Sequence, residues 1–92
     1  MLKVRGRWSW DATARALRLD LEQRQATEPY RMPVEVAIEV AGESDRRTDR
    51  IELRERRQSF TLPLDREPRS VALDPRDFVL MDAEVARKDG VR

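Results

Sequence analysis

The sequence VEVAIEVA at residues 34–41 decides the fold class of this chain. β-branched residues occupy every second position from Val34 to Val40, and Glu or Ala fills the positions between them. A period of two places one set of side chains on each face of a strand. The segment therefore predicts a strand with one buried face.

The same alternation recurs along the chain. Apolar residues mark further strands at Leu2–Trp10, Leu17–Gln23, Ile51–Leu53, Phe60–Leu64 and Val71–Leu73, and residues 78–81 are apolar on both phases. Pro, Gly and Asp between these segments are typical turn residues. Gly6 predicts a bulge or bend in the first strand. The polar residues 82–92 are expected to extend the last strand only at their start and to fray at their end.

Seven short strands joined by turns predict an all-β fold, a seven-stranded antiparallel β-sandwich of the immunoglobulin or fibronectin kind. A small barrel would produce nearly the same pattern. For the second strand a helix capped by Asp11 is the alternative, but the alternation up to Gln23 favours a strand. Pro29 and Pro33 indicate a crossover loop before the third strand. We expect a single domain over 1–92 with an ordered core over about 2–85.

The composition limits the classes of partner. Charged residues make up 40% of the 92 positions, yet the net charge is only +1. Such a balance argues against bare nucleic acid and against an anionic membrane as partners. The chain has no Cys and its N-terminus has no signal-peptide pattern, which slightly favours a reducing compartment such as the cytoplasm. No apolar segment reaches membrane-spanning length. Most cations are Arg, which forms planar pairs with carboxylates, so cross-strand ion pairs are expected on the sheet surface. A codon bias toward Arg in a GC-rich genome is the favoured cause of the Arg content.

Residues that could perform chemistry are scarce. The chain has no His and no Cys, and its three Gly residues are dispersed. Zinc sites, nucleophile–base pairs and phosphate loops need such residues, so we expect no catalytic, cofactor-binding or metal site in this chain. Glu35 and Glu39 lie on the solvated phase of one strand, while Asp74 and Asp77 flank Pro75 and are typical turn-capping residues.

The segment from Arg46 to Arg57 contains a run of arginines that resembles a nucleic-acid-binding surface. Carboxylates are interleaved with them, and no aromatic residue is present to stack on bases. A solvated, ion-paired hairpin is therefore the favoured interpretation. Trp8 and Trp10 share one strand face, which indicates core or domain-interface packing, although two exposed rings would form a docking patch or a sugar platform. Tyr30 is expected to plug one end of the sandwich.

A succession of short motifs resembles a known family. The sequences are WSWD at 8–11, LRLDLEQ at 17–23, PYRMPVEV at 29–36, RQSFTL at 57–62 and VALDP at 71–75, with Leu80 and Met81 close behind. Together they resemble the β-sandwich domain that follows the catalytic domain in zinc metallopeptidases of the aminopeptidase N family (gluzincins). That domain has an aromatic-Asp entry, a strand ending in Gln, an aromatic residue before x-x-Pro, and a Leu-Asp-Pro turn. The resemblance covers Trp8 to Met81.

The resemblance implies a structural role rather than a catalytic one. The HExxH zinc motif and the glycine-rich substrate motif belong to the catalytic domain of the family, and neither occurs here, so no catalytic residue is assigned. Zinc is expected in the catalytic domain of a parent protein, and that domain is the expected partner. The candidate interdomain contacts are Trp8, Trp10, Tyr30, Phe78 and Met81. Weak self-association is expected in isolation. The main alternative is a free-standing, fibronectin-like protein-binding module.

Overall fold

A computed structural model describes residues 2–40, 46–74 and 81–88. The described residues form seven strands, which are β1 (Leu2–Asp11), β2 (Ala16–Gln23), β3 (Met32–Val40), β4 (Arg47–Leu53), β5 (Arg57–Pro63), β6 (Pro68–Leu73) and β7 (Met81–Arg87). No helix in these ranges has the length and apolarity needed to cross a membrane.

The strands form two sheets that enclose one core. The first sheet has the order β5-β2-β1-β7, and the second has the order β4-β3-β6. Inward-facing residues of both sheets form a single apolar cluster that includes Leu2, Leu19 and Ile38, each with no exposed surface. The predicted β-sandwich is confirmed. The interior phase of β3, from Val34 to Val40, is buried as its alternation predicted.

The β1–β2 hairpin excludes the helical alternative for residues 11–23. Its register is regular from Val4 opposite Gln23 to Asp11 opposite Ala16. In the turn, the Oδ1 atom of Asp11 accepts hydrogen bonds from the backbone N–H groups of Thr13 and Ala14 at 2.9 and 3.1 Å. Asp11 therefore does cap a local backbone turn, but the chain returns as a strand instead of continuing as a helix.

Gly6 lies in a regular strand, and the predicted bulge or bend is wrong. It is directly opposite Leu21 on one side and Val85 on the other. A Cβ atom at this position would lie 2.5 Å from the Cδ2 atom of Leu21 and 3.3 Å from the Cγ2 atom of Val85. Gly6 thus provides the space in which the Leu21 side chain packs.

The last strand differs most from the sequence-based expectation. Residues 78–80 lie outside the described residues, and β7 covers Met81–Arg87, most of which was expected to be polar tail. β7 pairs with β1 in parallel, with Leu2 opposite Met81, so this pair departs from an all-antiparallel sandwich. In an immunoglobulin constant-type sandwich the last strand joins the strand before it. Here it lies beside the first strand instead.

β4 begins earlier than predicted. Its first three residues were expected to belong to a charged turn, yet they pair with β3 as far as Arg47 opposite Ile38. Arg47 and Asp49 occupy the inward phase at the end of the sandwich, where Arg47 Nη2 lies 2.9 Å from Asp49 Oδ2. Because solvent reaches the inward phase there, polar residues replace apolar ones, and the hydrophobic alternation that marks a strand disappears.

Candidate interaction surfaces

The five candidate interdomain residues do not form one patch. Trp8 is only 4% exposed and belongs to the core. Trp10, Tyr30 and Met81 are partly buried against that core. Phe78 lies outside the described residues. The interdomain role of these residues stays a prediction.

Trp10 and Met81 lie at opposite ends of β1. Met81 is opposite Leu2, whereas Trp10 is opposite Leu17 near the β1–β2 turn. Eight residues of strand separate the two ends, a distance of about 27 Å at 3.3–3.4 Å per residue. Tyr30 lies at the Met81 end, because its backbone contacts Gln23, which is opposite Val4. A neighbouring domain that packs on the end with Tyr30 and Met81 would therefore not contact Trp10, which lies at the opposite end.

Both tryptophans have specific partners within the fold. The guanidinium carbon of Arg87 lies 4.8 Å from the centre of the Trp8 ring, a cation–π distance. Arg87 also forms an ion pair with Glu67. The Nε1–H group of Trp10 donates to the backbone carbonyl of Leu64 at 3.2 Å. These contacts explain the two rings as parts of the sandwich itself.

A buried amide network holds the crossover between β2 and β3. Gln23 is 1% exposed. Its Oε1 atom accepts hydrogen bonds from Tyr30 N at 2.7 Å and from Gln25 Nε2 at 2.8 Å. Its Nε2 atom donates to the carbonyl groups of Tyr30 and Glu55 at 3.1 and 3.2 Å. Both donors and both acceptor lone pairs of this amide are therefore engaged, three of them by the crossover and one by Glu55 of the β4–β5 connection.

Arg56 reinforces the same crossover from the β4–β5 connection. Its Nη1 atom donates to the carbonyl groups of Gln23 and Gln25 at 3.2 and 2.8 Å, and its Nη2 atom donates to the carbonyl of Thr27 at 2.9 Å. Sequence analysis grouped Arg56 with a solvated, ion-paired hairpin and missed this role. Charge patterning could not reveal it, because the acceptors are backbone carbonyls distant in sequence.

The arginine run from 46 to 57 is only partly neutralised by its own carboxylates. Within the described residues, Arg47 pairs with Asp49, whereas Arg57 pairs with Glu22 of β2 at 3.2 Å. Arg50 and Arg54 are exposed and make no ion pair in the part of the chain that the structure describes. The predicted ion pairing is confirmed for two of the arginines, one of them across strands.

The outward face of the β5-β2-β1-β7 sheet carries the densest ion pairing of the described residues. Arg5 of β1 lies 3.3 Å from Glu84 and 3.7 Å from Asp82, both on β7. Glu22 of β2 lies 3.2 Å from Arg57 and 3.5 Å from Arg24. The predicted cross-strand pairs on the sheet surface are therefore confirmed.

Asp20 lies near the middle of this face. The Ser59 hydroxyl donates to its Oδ1 atom at 2.6 Å, and Arg18 Nε lies 3.1 Å from the same atom. The Ser59 hydrogen bond lowers the pKa of the Asp20 carboxyl, and Arg18 and Lys88 lower it further, while partial burial opposes them. Asp20 is therefore a firmly ionised group that holds two neighbouring strands together.

The described residues contain no cluster of three or more Asp, Glu, His or Cys side chains suited to a metal ion. Asp74 is buried and adopts a left-handed backbone conformation with φ of 50°, a region that Asp enters more often than most residues. Its turn-capping role stays a prediction. Asp77, the other proposed capping residue, lies outside the described residues.

Comparisons with known proteins add no relative. No protein-family model matches the chain, and no curated protein matches it. The resemblance to the sandwich domain of aminopeptidase N-like peptidases therefore rests on the quoted motifs alone.

Proposed function

We propose that this chain is a non-catalytic β-sandwich domain that packs on and positions the catalytic domain of an aminopeptidase N-like zinc metallopeptidase. The observation that carries the proposal is that residues of the resembling motifs stabilise the sandwich itself. Gln23 and Tyr30, two residues of the resemblance, fix the crossover through mutual hydrogen bonds. Trp8 and Trp10, which open the resemblance, pack in or against the core.

Motif residues that stabilise the fold are typical of a structural domain. Residues kept for catalysis would be polar groups converging in a concave site with shifted pKa values. Trp8, Trp10, Gln23 and Tyr30 are instead residues packed in or against the core or hydrogen-bonded at the crossover. Their role would be to keep the sandwich rigid, and a rigid sandwich can hold a neighbouring domain in a fixed orientation.

The surface best suited to that contact is the end of the sandwich that carries Tyr30, Met32 and Met81. All three are partly buried against the core in the isolated chain, so part of each apolar side chain faces solvent. Burial of such residues is typical of an interface between domains. This choice replaces the wider set of candidate contacts, because Trp10 lies at the other end and Trp8 is enclosed.

An antibody raised against the chain tests the proposal in lysates of the source cells. The expected result is a band several times larger than 10.8 kDa, from which tryptic peptides of an HExxH-containing segment are recovered. A band at 10.8 kDa would overturn the proposal and would support a free-standing binding module. A large band without a zinc-motif peptide would also overturn it.

A further inference from the structure

The outward face of the four-stranded sheet contains an open groove. Its volume is about 910 Å³, and its floor is the backbone around Gly6 of β1. Arginine side chains from three parts of the chain line it, Arg5 and Arg7 from β1, Arg24 after β2, and Arg57 from β5. The groove lies on the opposite side of the sheet from the core.

Positive charge exceeds negative charge on this face. The outward phase of the four strands and their immediate extensions carries seven cations and five carboxylates, namely Lys3, Arg5, Arg7, Arg18, Arg24, Arg57 and Lys88 against Asp11, Asp20, Glu22, Asp82 and Glu84. The whole chain has a net charge of only +1, so the excess is local to this face. A local excess of this kind attracts an anionic partner.

Arg7 is the group most available to such a partner. It is exposed and makes no ion pair or hydrogen bond with its side chain among the described residues. Asp20 lies opposite it in the register, but that carboxylate is engaged by Ser59 and Arg18. In addition, Arg24 and Arg57 share the single carboxylate of Glu22. The groove therefore holds more guanidinium donors than the carboxylates present can satisfy.

The chemistry of the groove fits carboxylates on an extended peptide. A guanidinium binds a carboxylate through two parallel hydrogen bonds. Acidic side chains at alternate positions of an extended segment repeat every 6.6–6.8 Å, the same interval that separates Arg5 from Arg7 on β1. Nucleic acid fits less well, because the outward phase of these four strands has no aromatic ring for base stacking.

We propose that the outward face of the β5-β2-β1-β7 sheet binds an extended acidic segment of a partner protein, with Arg7 as its anchor. The inference does not rest on the proposed peptidase-domain function. A sandwich that positions a catalytic domain by the end that carries Tyr30 and Met81 leaves Arg7, in the middle of this face, accessible.

Fluorescence anisotropy of the purified chain tests this inference. The probe is a fluorescein-labelled decapeptide of alternating Glu and Ser, titrated at constant low ionic strength. The expected result is saturable binding that Arg7→Ala weakens by about tenfold, the loss of one charge-assisted hydrogen-bonded pair. The matched control is Arg50→Ala, which removes an exposed strand arginine from the other sheet. It is expected to change affinity less than twofold.

A second pair of variants tests the direction of the effect. Glu22→Gln releases Arg24 and Arg57 and is expected to tighten binding about threefold. Glu52→Gln makes the same charge change on the other sheet and is expected to leave affinity unchanged. Absence of binding, equal effects of Arg7→Ala and Arg50→Ala, or equal effects of the two Gln variants would overturn the proposal. So would tighter, Arg7-dependent binding of a decauridylate.

Discussion

Gln23 shows how one buried amide can determine the path of a loop. Its side chain binds both backbone groups of Tyr30 and the carbonyl of Glu55. A buried polar group is tolerated only when it is hydrogen-bonded, and here one partner, Glu55, is distant in sequence. Gln23 therefore joins the crossover to the β4–β5 connection, and Arg56 joins the same two segments from the β4–β5 side.

Substitution of Gln23 by Leu is expected to destabilise the fold by about 2–4 kcal/mol, because the buried partners of the amide lose their hydrogen bonds. Urea denaturation followed by tryptophan fluorescence measures the change in free energy of unfolding. Arg24→Leu is the control, since it removes an exposed ion pair and is expected to cost less than about 1 kcal/mol. Similar losses for the two variants would contradict a special role for Gln23.

Gly6→Ala is expected to destabilise the fold by about 1–3 kcal/mol, because its Cβ would overlap the Leu21 side chain. A double-mutant cycle with Leu21→Ala separates this steric clash from the intrinsic preference of Ala or Gly for a strand. In the Leu21→Ala background, Gly6→Ala should cost much less or become stabilising, since Ala suits a strand better than Gly. A constant cost in both backgrounds would exclude the steric explanation.

The hydrogen bond between Ser59 and Asp20 predicts a pH dependence. The pKa of Asp20 is lower in the folded chain than its ordinary value, so the ionised carboxylate stabilises the fold above that value. This contribution disappears as the pH falls through the lowered pKa. Ser59→Ala should raise the Asp20 pKa in an NMR titration and lower stability at neutral pH more than at acidic pH. Ser70→Ala, a serine on the other sheet, should leave the Asp20 pKa unchanged.

Among the strands, β7 is the one whose pairing could not be predicted from its own residue pattern. Its inward phase carries Met81, Ala83, Val85 and Arg87, of which Ala83 is exposed, and its outward phase carries Asp82, Glu84 and Ala86, so the alternation is weak and the segment resembles a polar tail. Pairing with β1 supplies a neighbour for its backbone groups, and Arg5 supplies cations for both carboxylates. The strand is thus stabilised by contacts that only the partner strand provides.

The parallel register can be tested by disulfide formation in this cysteine-free chain. Lys3 lies directly opposite Asp82, so the variant with both Lys3→Cys and Asp82→Cys is expected to form an intramolecular disulfide on mild oxidation. Lys3→Cys with Ala86→Cys is the control, because Ala86 is displaced by four residues along β7 and lies beyond disulfide reach. Non-reducing peptide mapping identifies the bond. Equal yields from the two variants would contradict the register.

At the scale of the whole molecule, contacts of β7 with β1 and with the residue before β6 connect the two sheets. Arg87 at the end of β7 covers the Trp8 ring of β1 and pairs with Glu67, immediately before β6 of the other sheet. The Arg87 side chain therefore connects the end of β7 to the core and to both sheets. The radius of gyration of 13.0 Å is the value expected for a folded chain of this length.

Arg87→Ala is expected to reduce the free energy of unfolding by about 1–2 kcal/mol, through the loss of the cation–π contact and a partly shielded ion pair. Arg69→Ala is the matched control, since Arg69 pairs with Glu39 at 3.4 Å on an exposed surface. Its expected cost is below about 0.5 kcal/mol. Thermal unfolding and urea titration measure the loss of stability in both variants. Equal losses would exclude a special role for Arg87 in connecting the two sheets.

The candidate surfaces were only partly predictable. The outward arginines of β1 were evident from alternation, but the groove required β5, β2 and β7 to be placed beside them. The available guanidinium of Arg7 depends on Asp20 being engaged elsewhere, which no count of charges reveals. Conversely, the aromatic residues that seemed suited to a contact surface lie partly within the core, because burial depends on which elements cover them.

The sequence by itself determined the all-β class, the inward phase of β1 to β3 and the absence of His and Cys. These follow from local periodicity and composition, since a strand of period two carries its burial pattern in its own residues. Only the tertiary structure decided the parallel partner of β7, the steric role of Gly6, the Gln23 network and the arginine groove. Each depends on residues far apart in the chain, and local patterning contains no information about which distant segment will lie beside which.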